Sequence, residues 1–165
     1  MKPNKLSSDV VNLLNPRIKN EYEAHFFYRA ASNWCKNVGF EKAAEYFAKE
    51  AEDELTHAKK LEDYLVDWNV NPELPVIDAQ DNSFSGLMDV IEKAYRMEYN
   101  LYDDYEDISV KIFKLNDLCV FDFLQFFRVT QKEAVAEYSD KINLLDGVDT
   151  KSKFELLALE NQLFG

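Results

Sequence analysis

Residues 84–112 read FSGLMDVIEKAYRMEYNLYDDYEDISVKI. Phe84, Leu87, Ile91, Ala94, Leu101, Tyr105, Ile108 and Ile112 recur at alternating three- and four-residue steps, and Glu98 holds the one polar place in the series. That spacing lays a single apolar stripe along one face of an α-helix, and the run is far longer than any strand sustains. It predicts a helix from about Ser83 to Leu115. A helix with one apolar face is stable only when other elements cover that face, so the neighbouring sequence has to supply partners.

It supplies three of similar length. A first helix is expected over Ser8–Asn37, ended by Asn37-Val38-Gly39, with an inward stripe of Leu14, Ile18, Glu21, His25 and Tyr28. Pro16 leaves two readings open: a kink inside this helix, or a shorter helix capped by Asn15 with Pro16 in its first turn. A second helix, roughly Phe40 to Trp68, carries Phe47, Ala51, Glu54, Ala58, Leu61 and Leu65. The fourth stripe is Val120, Leu124, Phe127, Gln131, Ala134 and Tyr138. The third stripe, prolonged through Leu115 and Cys119, falls one residue out of phase with it. A break is therefore expected at Asn116-Asp117, with Asn as the N-cap and Asp in the first turn. From Asn71 to Asn82, with Pro72 and Pro75, no period survives. A connection that long can cross a whole bundle and let the third helix start from the opposite end. Ser152-Lys153-Phe154-Glu155 is a capping box opening a short fifth helix to about Leu163. The expected fold class is all-α: a four-helix bundle with a long crossover between helices 2 and 3 and a short fifth helix, in a single domain spanning residues 1–165.

Composition agrees. The 165 residues include only 4 glycines and 4 prolines, too few to turn the many short strands of a sandwich or barrel. A hydrophobic share of 47% argues against disorder. With 31 acidic and 19 basic residues the net charge is −12, which disfavours nucleic acid and anionic membranes as partners. The acidity suits a protein that handles cations, or simply a soluble surface. Cys35 and Cys119 have no framework spacing, no apolar run approaches a membrane span, and MKPNKLSSDV lacks a signal-peptide core. A cytoplasmic protein with free thiols is expected.

Each long stripe carries one polar residue near its middle: Glu21, Glu54, Glu98 and Gln131. In a bundle these should converge at mid-height. Buried glutamates need a partner, and neither Lys nor Arg lies on these stripes, so a divalent cation is the expected counter-charge. His57 follows Glu54 by one turn and adds an imidazole nitrogen, and such an oxygen-rich set with one histidine suits iron or a similar first-row metal. His25, one turn after Glu21, is either a supplementary ligand or a hydrogen-bonded core histidine. Tyr28 is either a hydrogen-bond partner and electron donor for the centre or plain packing.

At these residues the chain resembles the ferritin family over nearly its whole length. Leu14-Asn15, Asn20-Glu21, Tyr28 and Trp34 are similar to the first ferritin helix. Phe40-Glu41-Lys42-Ala43-Ala44 and Asp53-Glu54-Leu55-Thr56-His57-Ala58 are similar to the second. Tyr95-Arg96-Met97-Glu98 resembles the third, and Phe123-Leu124-Gln125 through Gln131 the fourth. Carboxylate bundles of the ferritin-like kind share one outline, in which inward glutamates and Glu-x-x-His pairs hold two metals.

The resemblance implies a ferroxidase centre. Glu21 and His57 would be terminal ligands of one iron, Glu54 a bridge, Glu98 a ligand of the second iron, and Gln131 a weak ligand or neighbour beside it. Fe(II) would be oxidised by O2 or H2O2 and stored as Fe(III) in a homo-oligomeric shell of 24 subunits. Departures from the family pattern narrow this. Gln131-Lys132-Glu133-Ala134 lacks the second Glu-x-x-His of bacterioferritins and rubrerythrin-like proteins, which weakens the alternative of a non-storage di-iron oxidase or peroxidase. Leu55 stands where bacterioferritins carry a haem-ligating Met, so no haem is expected. Thr130 and Ala134 occupy two of the acidic positions expected of a third iron site, to which Asp53 could contribute. Phe121 and Leu124 replace the acids of the usual three-fold channel.

Overall fold

The computed structural model describes residues 5–165. Among the described residues there are five helices and no strand: α1 (Ser8–Val38), α2 (Glu41–Asp67), α3 (Leu87–Lys114), α4 (Leu118–Leu144) and α5 (Lys153–Phe164). None is long and apolar enough to cross a membrane. The described residues fall into two compact units, 5–83 and 84–165.

In the first unit α1 and α2 form a hairpin. Tyr22 meets Glu62, His25 meets Ala51, Tyr28 meets Phe47 and Ser32 meets Ala44. Positions rising along one helix pair with positions falling along the other, so the two run antiparallel. The corner is a Schellman motif. Gly39 takes φ 90°, its N–H donates to the Lys36 carbonyl at 3.3 Å, and the Phe40 N–H donates to that of Cys35 at 2.8 Å. The core is Leu14, Ile18, Tyr28, Phe47, Leu61 and Leu65, as the stripes predict.

Pro16 lies inside α1, which begins at Ser8, where the Ser7 hydroxyl accepts from Val10 N–H. The shorter helix starting near Pro16 is therefore not formed. Asn15 does not cap a helix. Its Oδ1 accepts from the Glu73 N–H at 3.1 Å and ties the crossover segment to α1.

In the second unit α3 and α4 make another antiparallel hairpin. Glu98 pairs with Gln131, Tyr105 stacks on Phe127 at 4.9 Å, Ser109 meets Arg128, and Phe113 meets Phe121. Arg128 donates to the Ser109 hydroxyl at 2.8 Å while lying over the Phe121 ring at 4.4 Å. Lys141, buried on α4, pairs with Glu137 at 2.7 Å and lies over the rings of Tyr138 and of Phe164 on α5.

Two element ends differ from expectation. The third helix begins at Leu87, not near Ser83, and leaves Phe84 outside. Side chains hold the preceding backbone away from helix: Asp81 accepts from the Ser83 N–H and hydroxyl, and Asp89 from the Ser85 N–H. The break at Asn116-Asp117 is present, with the roles moved by one residue. Asn116 sits in the left-handed region at φ 60° and ends α3 by the same Schellman pattern that Gly39 forms, and Asp117 is the N-cap of α4, accepting from Val120 N–H at 3.1 Å. Asparagine tolerates that conformation and a β-branched residue does not. Asn116→Val should therefore lower stability by about 1–2 kcal/mol in urea unfolding. Asn116→Gly should change it by no more than about 0.5 kcal/mol.

The fifth helix opens at Ser152, whose hydroxyl accepts from the Glu155 N–H at 3.3 Å. The Glu155 carboxylate accepts from Asp149 N–H, not from Ser152 as a full capping box would have it.

Candidate metal centre

Glu21, Glu54 and His57 come together inside the α1–α2 hairpin because their positions on two antiparallel stripes coincide in height. All three are buried, and each offers a ligand atom within 4.8 Å of the others. His57 Nδ1 lies 3.0 Å from Glu54 Oε2 and 3.7 Å from Glu21 Oε2. Burial by itself would disfavour a charged imidazole here. Hydrogen bonding and attraction to Glu21 and Glu54 outweigh it, and the pKa of His57 is pushed up to about 10. The imidazolium thus occupies the electrostatic place that a divalent cation would take. Two carboxylates and an imidazole form a donor set suited to a first-row divalent metal, and such a metal binds the neutral ring, so its arrival expels the proton.

The second unit holds the other pair. Glu98 and Gln131 are buried on α3 and α4, and Gln131 Nε2 donates to Glu98 Oε2 at 2.5 Å. This bond fixes the carboxylate in one orientation, the way hydrogen-bonded neighbours position ligands at metal sites.

Of the remaining candidates, His25 is explained by its surroundings. Its Nδ1 lies 2.6 Å from the Ala51 carbonyl oxygen, and since a carbonyl only accepts, that nitrogen is the donor. The cluster of ligand atoms is formed by Glu21, Glu54 and His57, without His25. Tyr28 is buried one turn beyond His25, its ring stacked on Phe47 at 6.0 Å. Asp53 is exposed on α2, and Asp117, near the channel positions, is engaged as the α4 N-cap. Off the inward stripes, and so without a signal in their spacing, a Tyr22–Glu62 bond of 2.6 Å pins α1 to α2 beside Glu21. Held against that carboxylate, first by the hydrogen bond and then by burial and charge, the Tyr22 phenol is raised to about 12.

A family model described as the Ferritin-like domain matches residues 11–148. A probable bacterial non-heme ferritin-like protein of Haemophilus influenzae is 32% identical over 152 residues, covering 90% of this chain and 92% of its own. A bacterial non-heme ferritin of Campylobacter jejuni is 32% identical over 143 residues, covering 85% and 86%. Among solved structures, an open-pore ferritin of Archaeoglobus fulgidus superposes with a TM-score of 0.90 over 96% of both chains at 21% identity. That likeness is one of fold: an all-α four-helix bundle with a long connection between the second and third helices and a short fifth helix. Taken with the family match and the two relatives, it leads to one assignment. The chain belongs to the ferritin family.

Proposed function

We propose that this protein is an iron-storage ferritin whose chain oxidises Fe(II) at a dinuclear centre and deposits Fe(III) inside a homo-oligomeric shell of 24 subunits. The observation that carries the reading is the buried Glu21–Glu54–His57 cluster, whose three ligand atoms lie within 4.8 Å of one another. Fe(II) is the substrate. Glu21 and His57 hold one iron, Glu54 is shared by both, and Glu98 holds the second with Gln131 orienting its carboxylate. Two Fe(II) give one electron each to O2 or H2O2. The second site offers fewer strong donors than the first, which favours release of Fe(III) over its retention as a cofactor. In this reading Tyr28, buried on α1 two turns from Glu21, is the electron donor.

Storage and assembly are tested together. The native protein should elute from size-exclusion chromatography as a large assembly and take up hundreds of irons per assembly, a capacity beyond that of its dinuclear sites alone. Elution as a monomer or dimer would rule out the shell. A large assembly that stops at about two irons per chain would leave a di-iron oxidase without storage.

A further inference from the structure

Three tyrosines of α3 form a ladder beside Glu98. The ring centroids of Tyr95 and Tyr99 are 6.0 Å apart, and those of Tyr99 and Tyr102 are 6.2 Å apart. At 3.6 residues per turn, Tyr102, Tyr95 and Tyr99 stand roughly 40°, 60° and 100° around the helix from Glu98, all on one side of it. Tyr95 and Tyr102 precede and follow Glu98 by three and four residues, the offsets at which helix side chains are neighbours. Both are half-buried, whereas Tyr99, which touches each of them, is 44% exposed. Tyr22 is held through its hydroxyl by Glu62; among the described residues, the contacts of these three are ring to ring. Their phenols are not tied into the fold's hydrogen bonding, and the outermost meets water. A path of oxidisable rings thus runs from a proposed iron ligand to the surface.

We propose that Tyr95, Tyr99 and Tyr102 are a redox relay that carries an oxidising equivalent from the Glu98 side of the metal centre to the surface at Tyr99. The relay rests on the ferroxidase reading above. It matters when hydrogen peroxide, a two-electron oxidant, meets a chain that holds one Fe(II). The iron gives one electron, and a lone second oxidising equivalent would otherwise leave as hydroxyl radical. With a tyrosine as the second donor the reaction closes as Fe(II) + H2O2 + Tyr–OH + H⁺ → Fe(III) + Tyr–O• + 2 H2O. The O–O bond breaks, both oxygens leave as water, and iron and phenol are each oxidised by one electron. The phenolic proton and one solvent proton complete the two waters. An electron passing inward from Tyr99 to an oxidised Tyr95 or Tyr102 moves the radical to the exposed ring. There a solvent thiol restores it: Tyr–O• + RSH → Tyr–OH + RS•.

The test uses the assembled protein with one Fe(II) per chain, mixed with H2O2 and freeze-quenched for electron paramagnetic resonance. A nitroso spin trap maps the radical by mass spectrometry in parallel. The native protein should give a tyrosyl signal and a trap adduct on Tyr99. Tyr99→Phe, a change at an exposed ring, should lose that adduct. The Tyr95→Phe/Tyr99→Phe/Tyr102→Phe variant should lose every trappable tyrosyl adduct, any signal left being that of buried Tyr28, and release trappable hydroxyl radical, yet oxidise two Fe(II) per chain as fast as the native protein. An unchanged signal in the triple variant, or no tyrosyl signal in the native protein, overturns the relay. Should the native protein fail to oxidise two Fe(II) per chain rapidly, the ferroxidase reading falls and takes the relay with it.

Discussion

Replacing Glu54 with alanine is expected to abolish the fast phase of Fe(II) oxidation, a loss of at least about 100-fold in stopped-flow absorbance, larger than the change that removing a supporting neighbour of a metal ligand produces. The size follows from where Glu54 sits. Its carboxylate is the one that approaches His57 most closely, at 3.0 Å, and in the proposed centre it is the ligand both irons share. Substituting Glu21 or Glu98 would weaken one iron site; substituting Glu54 takes a donor from two at once and removes the group that fixes their spacing. The helix should survive, because alanine is the best helix former and the site lies in the middle of α2. Unchanged circular dichroism and elution volume would establish that. Glu54→Gln sharpens the comparison, since it keeps the length and one neutral oxygen and loses only the charge. It too should lose the fast phase. A fast phase that persists in the alanine variant would remove Glu54 from the centre and would refute the dinuclear reading.

Much of this fold is legible in the sequence for a definite reason. Long helices of a bundle repeat one instruction every turn, so the stripe from Leu87 to Ile112 remains readable even though Glu98 interrupts it. The break between α3 and α4 shows for the same reason, as a phase slip, without a glycine to mark it. What periodicity does not encode is local hydrogen bonding. The cap roles at Asn116 and Asp117 depend on which residue turns left-handed, and the start of α3 depends on Asp81 and Asp89 capturing the backbone of Ser83 and Ser85. Phe84 continues the apolar period and misplaces the helix start when spacing alone is used. Pro16 is the opposite case: a residue that ordinarily breaks a helix lies within one packed along its length, where tertiary contacts outweigh propensity.

The site divides along the same line. Glu21, Glu54 and His57 could be picked out because a charged residue on an apolar stripe is an anomaly, and the hairpin then brings those anomalies to one height. His25 lies on the same stripe and looks alike in sequence, but the Ala51 carbonyl that engages it is a backbone atom of another helix and leaves no trace in the residue pattern. Tyr95, Tyr99 and Tyr102 are spaced by four and three residues, plain to see once looked for. They escape a search for buried anomalies because tyrosine on a half-exposed face is no anomaly at all.

His57→Ala should cost the metal-free protein about 3–5 kcal/mol at neutral pH, the penalty for removing one partner of a buried ion pair. The ring is buried between Glu21 and Glu54, and its proton is the cluster's positive charge when no metal is present. The sign with pH follows from the raised pKa. A histidine that titrates near 6.5 when unfolded and near 10 when folded contributes its full stabilisation below about pH 6.5 and loses it progressively as pH rises toward 10. The gap in urea midpoint between native protein and variant should therefore be widest in mild acid and narrow in alkali. Zn(II), which is redox-inert, separates this charge effect from oxidation chemistry. Added to the native protein at neutral pH it should displace the proton, releasing acid in an unbuffered titration, and raise stability by mass action. In the alanine variant, binding should be weaker and the released proton absent. A native–variant gap that stays constant from pH 6 to pH 10 would mean that His57 is neutral in the fold, and the Glu21–Glu54 pair would then need another source of compensation.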